Sequence, residues 1–354
     1  MNQEQPPPPP PPQAMDERDW SELIPGLPEE IGLECLTRMH YSGHRMASRV
    51  CRRWRHLFQS KDFYYHRKQT GFTHKAACLV QALPAQSGSK PTGQARYGIS
   101  LFDPATQGWD RVEAVPKYPE GLPMFCQLAS TEGKLVLMGG WDPSRWEPVR
   151  DVFVYEFTTR RWTQCADMPS TRSFFAMGAA EGKVFVAGGH DESKNALRSA
   201  WALDVKEGAW SELSGMSEER DECEGVVVGS EFWVVSGYGT ETQGVFKSSA
   251  EVYDMRKGEW RRVEGAWPVS RCPRSCVGTG GNSLICWAEA EVPVPVQVGV
   301  DLGDWTLVAG AAYQGAPHGF YVREKGQGQK GKFTKVSVCD DYSGYVQSGC
   351  CVEV

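Results

Sequence analysis

The chain has 354 residues, 40% of them hydrophobic, and a formal net charge of -6, enough apolar material for a small module beside a sizeable domain. That charge argues against a protein that holds nucleic acid over its whole surface, and no run approaches the roughly 18 apolar residues of a membrane-crossing helix, so neither nucleic acid nor membrane is an expected partner. The proline run from Pro6 to Pro12, followed by Asp16 and Glu17, lacks the basic and apolar regions of a secretory signal, which predicts a location in the cytoplasm and/or nucleus and free, mostly buried thiols for the twelve cysteines.

Residues 1–19 are Pro-rich and polar and read as a disordered tail with an extended polyproline preference. From 20 to 68 the pattern is helical. Leu27-Pro28-Glu29-Glu30 places proline at a helix start and two carboxylates where the helix dipole favours them, and Ile31, Cys35, Leu36 and Met39 follow on one face. Met46, Ala47, Val50, Cys51, Trp54 and Leu57 predict a second helix, with Arg45, Arg49, Arg52, Arg53 and Arg55 mainly on its other sides.

Beyond Thr73 the helical period gives way to short β-rich runs punctuated by Gly, Pro, Asp and Asn. An internal period is present: GKLVLMGGWD, GKVFVAGGHD and SEFWVVSGYG align Gly140, Gly189 and Gly237 at steps of 49 and 48 residues. Trp109, Trp162, Trp210, Trp260 and Trp305 follow the same beat, and VFVYEF, AWALDV and AEVYDM supply a strand between glycine and tryptophan. A period near fifty with these letters predicts a mainly β fold, a kelch β-propeller over 75–354 with six blades, five being the alternative. Clear repeats span 122–169, 170–217 and 218–268, and a weaker one spans 270–309. Residues 310–344 would be a shortened sixth blade with a loop from Glu324 to Lys332, and the C-terminal strand 345–354 should pair into the first blade and close the ring, removing exposed sheet edges.

On these residues the sequence resembles the plant kelch-repeat F-box proteins. LIPGLPEEIGLECLTRM and ASRVCRRWRHLFQSKDFYYHR look like an F-box, and the likeness runs through GLPMFCQL, MPSTRSFFAMGA, VAGGHDESKNAL, ERDECEGV and VQSGCCVEV. The resemblance implies an F-box that binds a Skp-type adaptor and joins a cullin ligase core, and a propeller that binds a protein substrate for ubiquitination and degradation. Related proteins turn over phenylalanine ammonia-lyase or cytokinin response regulators, which makes these the targets the resemblance suggests.

Leu27, Pro28, Ile31, Leu36, Val50, Cys51 and Trp54 are the candidate adaptor contacts, because so short a module buries too little to cover them alone; a purely internal helical core is the competing assignment. The arginines of the second helix suit a solvated face or an acidic partner better than DNA. In the propeller, Arg172, Arg220 and Arg271 recur once per blade and predict either a carboxylate-binding cluster near the axis or local salt bridges, for instance Arg220 with Asp221 or Glu222. The loops after the glycine turns add Trp141, Asp142, Arg145 and Trp146, then His190, Asp191 and Glu192, then Tyr238, Thr240 and Glu241, as substrate-binding candidates or padding between blades.

An enzyme is the alternative class. Only His190 and His318 of seven histidines fall in the repeats, too few for a copper site; Cys272 with Cys276 lacks a second ligand pair, and Cys350 and Cys351 sit in a strand. The glycine pairs precede no GKS or GKT. No catalytic residue, metal or cofactor is therefore expected. A propeller scaffold without a ligase role differs from the adaptor only in lacking a working F-box.

Overall fold

The computed structural model describes residues 22–84, 95–267, 272–280, 283–325 and 332–354. The proline tail, Trp20 and Arg271 lie outside the described residues, as does most of the expected Glu324 to Lys332 loop. The chain divides into two compact units, 1–73 and 74–354.

Among the described residues, the first unit has four helices: α1 (Glu29–Thr37), α2 (Tyr41–Ala47), α3 (Arg52–Gln59) and α4 (Lys61–Gln69). Pro28 is extended at the N-cap of α1, with Glu29 and Glu30 in the first turn against the positive end of the dipole. The single second helix expected from Met46 to Leu57 is instead two. Ser48 Oγ donates back to the carbonyl of His44, Cys51 is extended (φ -154, ψ 170), and its Sγ accepts from the Trp54 amide at 3.4 Å, so local side-chain bonds end one helix and start the next. Leu23, Leu36, Ala47, Phe58 and Phe63 form the core, with Trp54 against them and its indole donating to the Leu23 carbonyl at 2.6 Å. Arg67 is buried and donates to the carbonyls of Thr37, Met39 and Phe72, closing the C-terminal end of α1; burial lowers its pKa to about 10.

The second unit is a ring of six antiparallel sheets. The first blade runs outward from Val346–Glu353 through Lys75–Ala82 and Tyr97–Asp103 to Gly108–Arg111, so the last strand of the chain is its innermost. Cys78 faces Cys350 and Ala77 faces Cys351 in that pairing, as free thiols. Blades two to four are complete, with innermost strands Gln127–Thr131, Ala176–Ala180 and Glu224–Val228.

Neighbouring inner strands touch all the way round. Ser130 Oγ donates to the Cys351 carbonyl, Gly182 N to Thr131 Oγ1 at 3.0 Å, Ser275 N to the Glu224 carboxylate, and Gly299 N to the Ser275 carbonyl at 3.1 Å. Gly225 lies so close to Met177 that a Cβ would sit 2.4 Å from its amide nitrogen.

The repeated letters each have a job. Gly140, Gly189 and Gly237 have φ of 95°, 80° and 84°, and a Cβ at any of them would lie within 2.6 Å of a carbonyl of the adjoining chain. Asp204 and Asp254 end their strands by accepting from the amides two and three residues on, fixing the outer turn. The indoles of Trp162, Trp210 and Trp260 donate to the carbonyls of Glu113, Ala166 and Ser214, each in the segment leading out of the preceding blade.

The repeat expected at 270–309 and the shortened blade at 310–344 are redrawn. Among the described residues, sheet five has two strands, Val277–Gly280 and Ser283–Cys286. Pro293 and Pro295, which have no amide to donate, follow where further ladder strands would be needed. Sheet six is a full blade: Val298–Asp301, Trp305–Ala311, His318–Glu324 and Thr334–Lys335. Trp305 thus opens a second strand rather than sitting on an outermost one, and its place in the tryptophan beat is a coincidence of spacing. Trp287, 1% exposed, fills the space left by the thin sheet. Its ring lies between Gly278 and Gly299, where a Cβ on either would come within 2.2 Å of it.

His318 is 3% exposed in the sixth blade, and its Nδ1 accepts from the Val346 amide at 3.3 Å, which requires the neutral ring. Burial lowers its pKa to about 4. Between that value and the ordinary one of about 6.5 the unfolded chain binds a proton that the folded chain does not, so stability is complete above about pH 6.5 and is lost as pH falls toward 4. We expect this residue to account for about 3 kcal/mol of acid destabilisation, read as the pH-dependent gap between wild type and His318→Gln in denaturant melts.

Candidate docking and target-binding surfaces

Of the seven expected adaptor contacts, Ile31 and Val50 are 50% and 65% exposed, Pro28 is exposed, and Leu27, Cys51 and Trp54 are half-buried. Leu36 is 1% exposed and belongs to the helical core, because it falls on the inner side of α1 beside Phe58 and Phe63. Met46 is as exposed as Val50 and was not among the expected residues; its helical spacing suggested the core until the chain broke at Ser48. An ion pair between Glu29 and Arg53 draws the start of α1, with Pro28, to the start of α3 just beyond Val50.

In the propeller, Arg172 and Arg220 are turned inward. Arg172 is 1% exposed and donates to the carbonyls of Gly188 and Ser199 and to the hydroxyls of Ser170 and Ser199, at 3.0 to 3.2 Å. Arg220, fully buried, repeats this with Ser236 and Ser249, and its Nε lies 3.9 Å from Glu251 Oε1. Burial lowers the pKa of both, Arg172 to about 10. They cross-tie the second and third strands of blades three and four, and are neither a carboxylate site nor bonded to Asp221 or Glu222. In blade two Pro123 stands where these arginines do. There Asp151 replaces the serine and takes Lys117 Nζ at 2.7 Å and the Tyr118 hydroxyl.

The residues after the glycine turns divide. The half-buried Trp141 donates its indole to Ser173 Oγ at 3.0 Å, and buried His190 contacts the Asp221 carboxylate through Nδ1 at 2.9 Å, so both join one blade to the next. Tyr238 is 5% exposed, its pKa raised by burial and by Asp221 and Glu222. Asp191 spends its carboxylate on the amides of Ser193 and Asn195, and Asp142 on those of Ser144 and Arg145. Arg145, Trp146, Glu192 and Glu241 are exposed, Trp146 55% so, while the Thr240 hydroxyl accepts from the Ala196 amide at 2.9 Å.

One face collects what was missed. Loops between second and third strands share a face with the entries to the innermost strands, because successive strands of a blade run antiparallel. Among the described residues, the exposed large apolar side chains of the propeller are Phe125, Trp146, Val245, Tyr313 and Tyr345, and all five lie on this face. At the entries to four inner strands, Phe125, Phe174, Glu222 and Ser275 adopt φ of 60°, 53°, 49° and 56°, a strained conformation repeated blade after blade. Phe125 packs 5.2 Å from Phe174, and the Arg274 guanidinium lies 4.7 Å over the Phe174 ring. Only the positive φ gives this row away, and no composition signal precedes it.

Kelch-type blades whose exposed large apolar residues gather on one face, and a helical module with its own exposed apolar corner, define a two-unit protein of the binding-module class. Family comparison agrees on both units. Residues 73–286 match the KLHDC2/KLHL20/DRC7 Kelch-repeats domain and residues 24–66 the F-box domain. Similar proteins, all from Arabidopsis thaliana, include F-box/kelch-repeat protein At2g44130 (42% identity over 70% of this chain and 66% of the relative), F-box/kelch-repeat protein SKIP20 (40%, over 70% and 68%) and F-box/kelch-repeat protein At1g15670 (34%, over 94% and 100%). The chain belongs to the plant F-box/kelch-repeat family, whose two-domain architecture is that of a substrate-recognition adaptor for SCF ubiquitin ligases.

Proposed function

We propose that this protein, in the cytoplasm or nucleus, docks on a Skp-type adaptor through Leu27, Pro28, Ile31, Met46 and Val50 and presents a target protein to the ligase on the propeller face that carries Phe125, Trp146, Val245, Tyr313 and Tyr345. The segregation of every exposed large apolar residue of the described propeller to that face carries the reading, since such patches mark protein interaction sites. Interface anchors cost about 2 kcal/mol or more when truncated, roughly thirtyfold in affinity.

The test has two arms in the full-length chain. Leu27→Ala with Pro28→Ala, and separately Val50→Glu, should abolish co-purification of the adaptor while melting behaviour is kept; undiminished capture would remove the docking assignment. The adaptor-deficient chain should then retain its target, with phenylalanine ammonia-lyase and cytokinin response regulators the first to assay. Adding Phe125→Ala and Trp146→Ala should release that target, and retention would place it elsewhere.

A further inference from the structure

The four-helix unit is strongly cationic in an otherwise acidic protein. Residues 22–73 carry nine Arg and Lys against five Asp and Glu, a net +4, whereas residues 74–354 sum to -7. Three of the arginines in this unit are committed internally: Arg38 to Glu34, Arg53 to Glu29, and buried Arg67 to three carbonyls. Arg45, Arg49, Arg52 and Arg55 are exposed and pair with no carboxylate among the described residues.

These four occupy one corner. The amides of Arg49 and Val50 donate to the carbonyls of Met46 and Ala47 at 3.0 Å, winding the chain tightly between α2 and α3. Arg55, one turn into α3, reaches back with its Nε to the Ser48 carbonyl at 3.2 Å. Met46 and Val50, each 65% exposed, therefore share this corner with the four exposed arginines, next in the chain to Arg45 and Arg49. Four like charges beside an apolar pair repel one another, and that arrangement gains when a surface of opposite sign covers it.

We infer that the arginine rim Arg45, Arg49, Arg52 and Arg55 is an electrostatic docking collar for an acidic protein surface, which steers the adaptor onto Met46 and Val50. This rests on the docking reading above. The collar acts on the rate of encounter more than on residence, because rim charges are solvated in the complex while the apolar contacts they surround are buried. Free exposed charges are screened beyond about 10 Å at 0.1 M salt, so the effect fades as salt rises.

The experiment measures association and dissociation rates of the full-length protein with purified Skp-type adaptor from about 0.05 to 0.5 M sodium chloride, and repeats them with duplex DNA. Wild type should associate at least about tenfold faster at the low-salt end. R45Q/R49Q/R52Q/R55Q should associate about tenfold more slowly than wild type there, with little remaining salt dependence and a dissociation rate within about threefold. The fourfold Lys variant should recover most of the rate, as steering needs the charge rather than the guanidinium shape, and R45Q/R49Q alone gives an intermediate value should the fourfold Gln chain unfold. A salt-independent wild-type rate, an unchanged rate in the Gln variants, or salt-dependent DNA binding tighter than adaptor binding overturns the collar while leaving docking in place. No adaptor binding by wild type at any salt overturns docking and the collar together.

Discussion

Replacing Trp287 with alanine should destabilise the propeller by about 3–5 kcal/mol, the usual cost of deleting a large buried aromatic. The physical reason is specific to the fifth sheet. With two strands where its complete neighbours have four, it cannot cover the flank of the sixth blade by itself, and the Trp287 ring fills that space against Gly278 and Gly299. The glycines have no Cβ to move into the void, so little relaxation is available to soften the loss. For a unit of this size about 1 kcal/mol corresponds to 2–4 °C, which places the expected drop in melting temperature near 10 °C. Trp146→Ala, on the exposed loop, should stay within about 0.5 kcal/mol. A Trp287→Ala chain that melts within a degree or two of wild type would show that the ring does not depend on this plug.

The second large effect concerns Arg220. Its removal strands the carbonyl of Ser236, leaves that of Ser249 with the Ser236 amide alone, and takes away the cation nearest the buried Glu251 carboxylate. Breaking a buried, hydrogen-bonded charge by removing one partner costs about 3–5 kcal/mol. Arg220→Ala should therefore lower stability by that amount, and Arg220→Lys should recover only part of it, since an ammonium cannot span two carbonyls and a hydroxyl in the fixed geometry of a guanidinium. Target binding by the fraction that remains folded should be unchanged. Lost binding at undiminished stability would return Arg220 to the surface role its periodicity suggested.

The arginines show where sequence legibility ends. Their spacing correctly marks one equivalent place per blade, but equivalence in a ring says nothing about whether a side chain points to the axis, the solvent or the next strand. That direction is set by Ser199 and Ser249, 27 and 29 residues further along the chain, which meet the guanidinium groups only once the third strand has paired. The tryptophan beat misled for a related reason. Trp162, Trp210 and Trp260 earn their positions through bonds to the preceding blade, whereas Trp305 shares the spacing without the bond.

By itself the sequence determined the helical module, the β-rich repeats, the recurring glycine turns and the pairing partner of the last strand, because each of these rests on local patterns: apolar period, turn chemistry and an unfilled edge. The break between α2 and α3 was already a matter of side chains bonding to nearby backbone, at the margin of what a pattern reveals. Only the tertiary structure decided which charges are buried, that a tryptophan substitutes for missing strands, and that Phe125, Trp146, Val245, Tyr313 and Tyr345 share a face. Those outcomes depend on antiparallel strand direction and on contacts between residues far apart in the chain, and burial is a property of the assembled ring rather than of any segment.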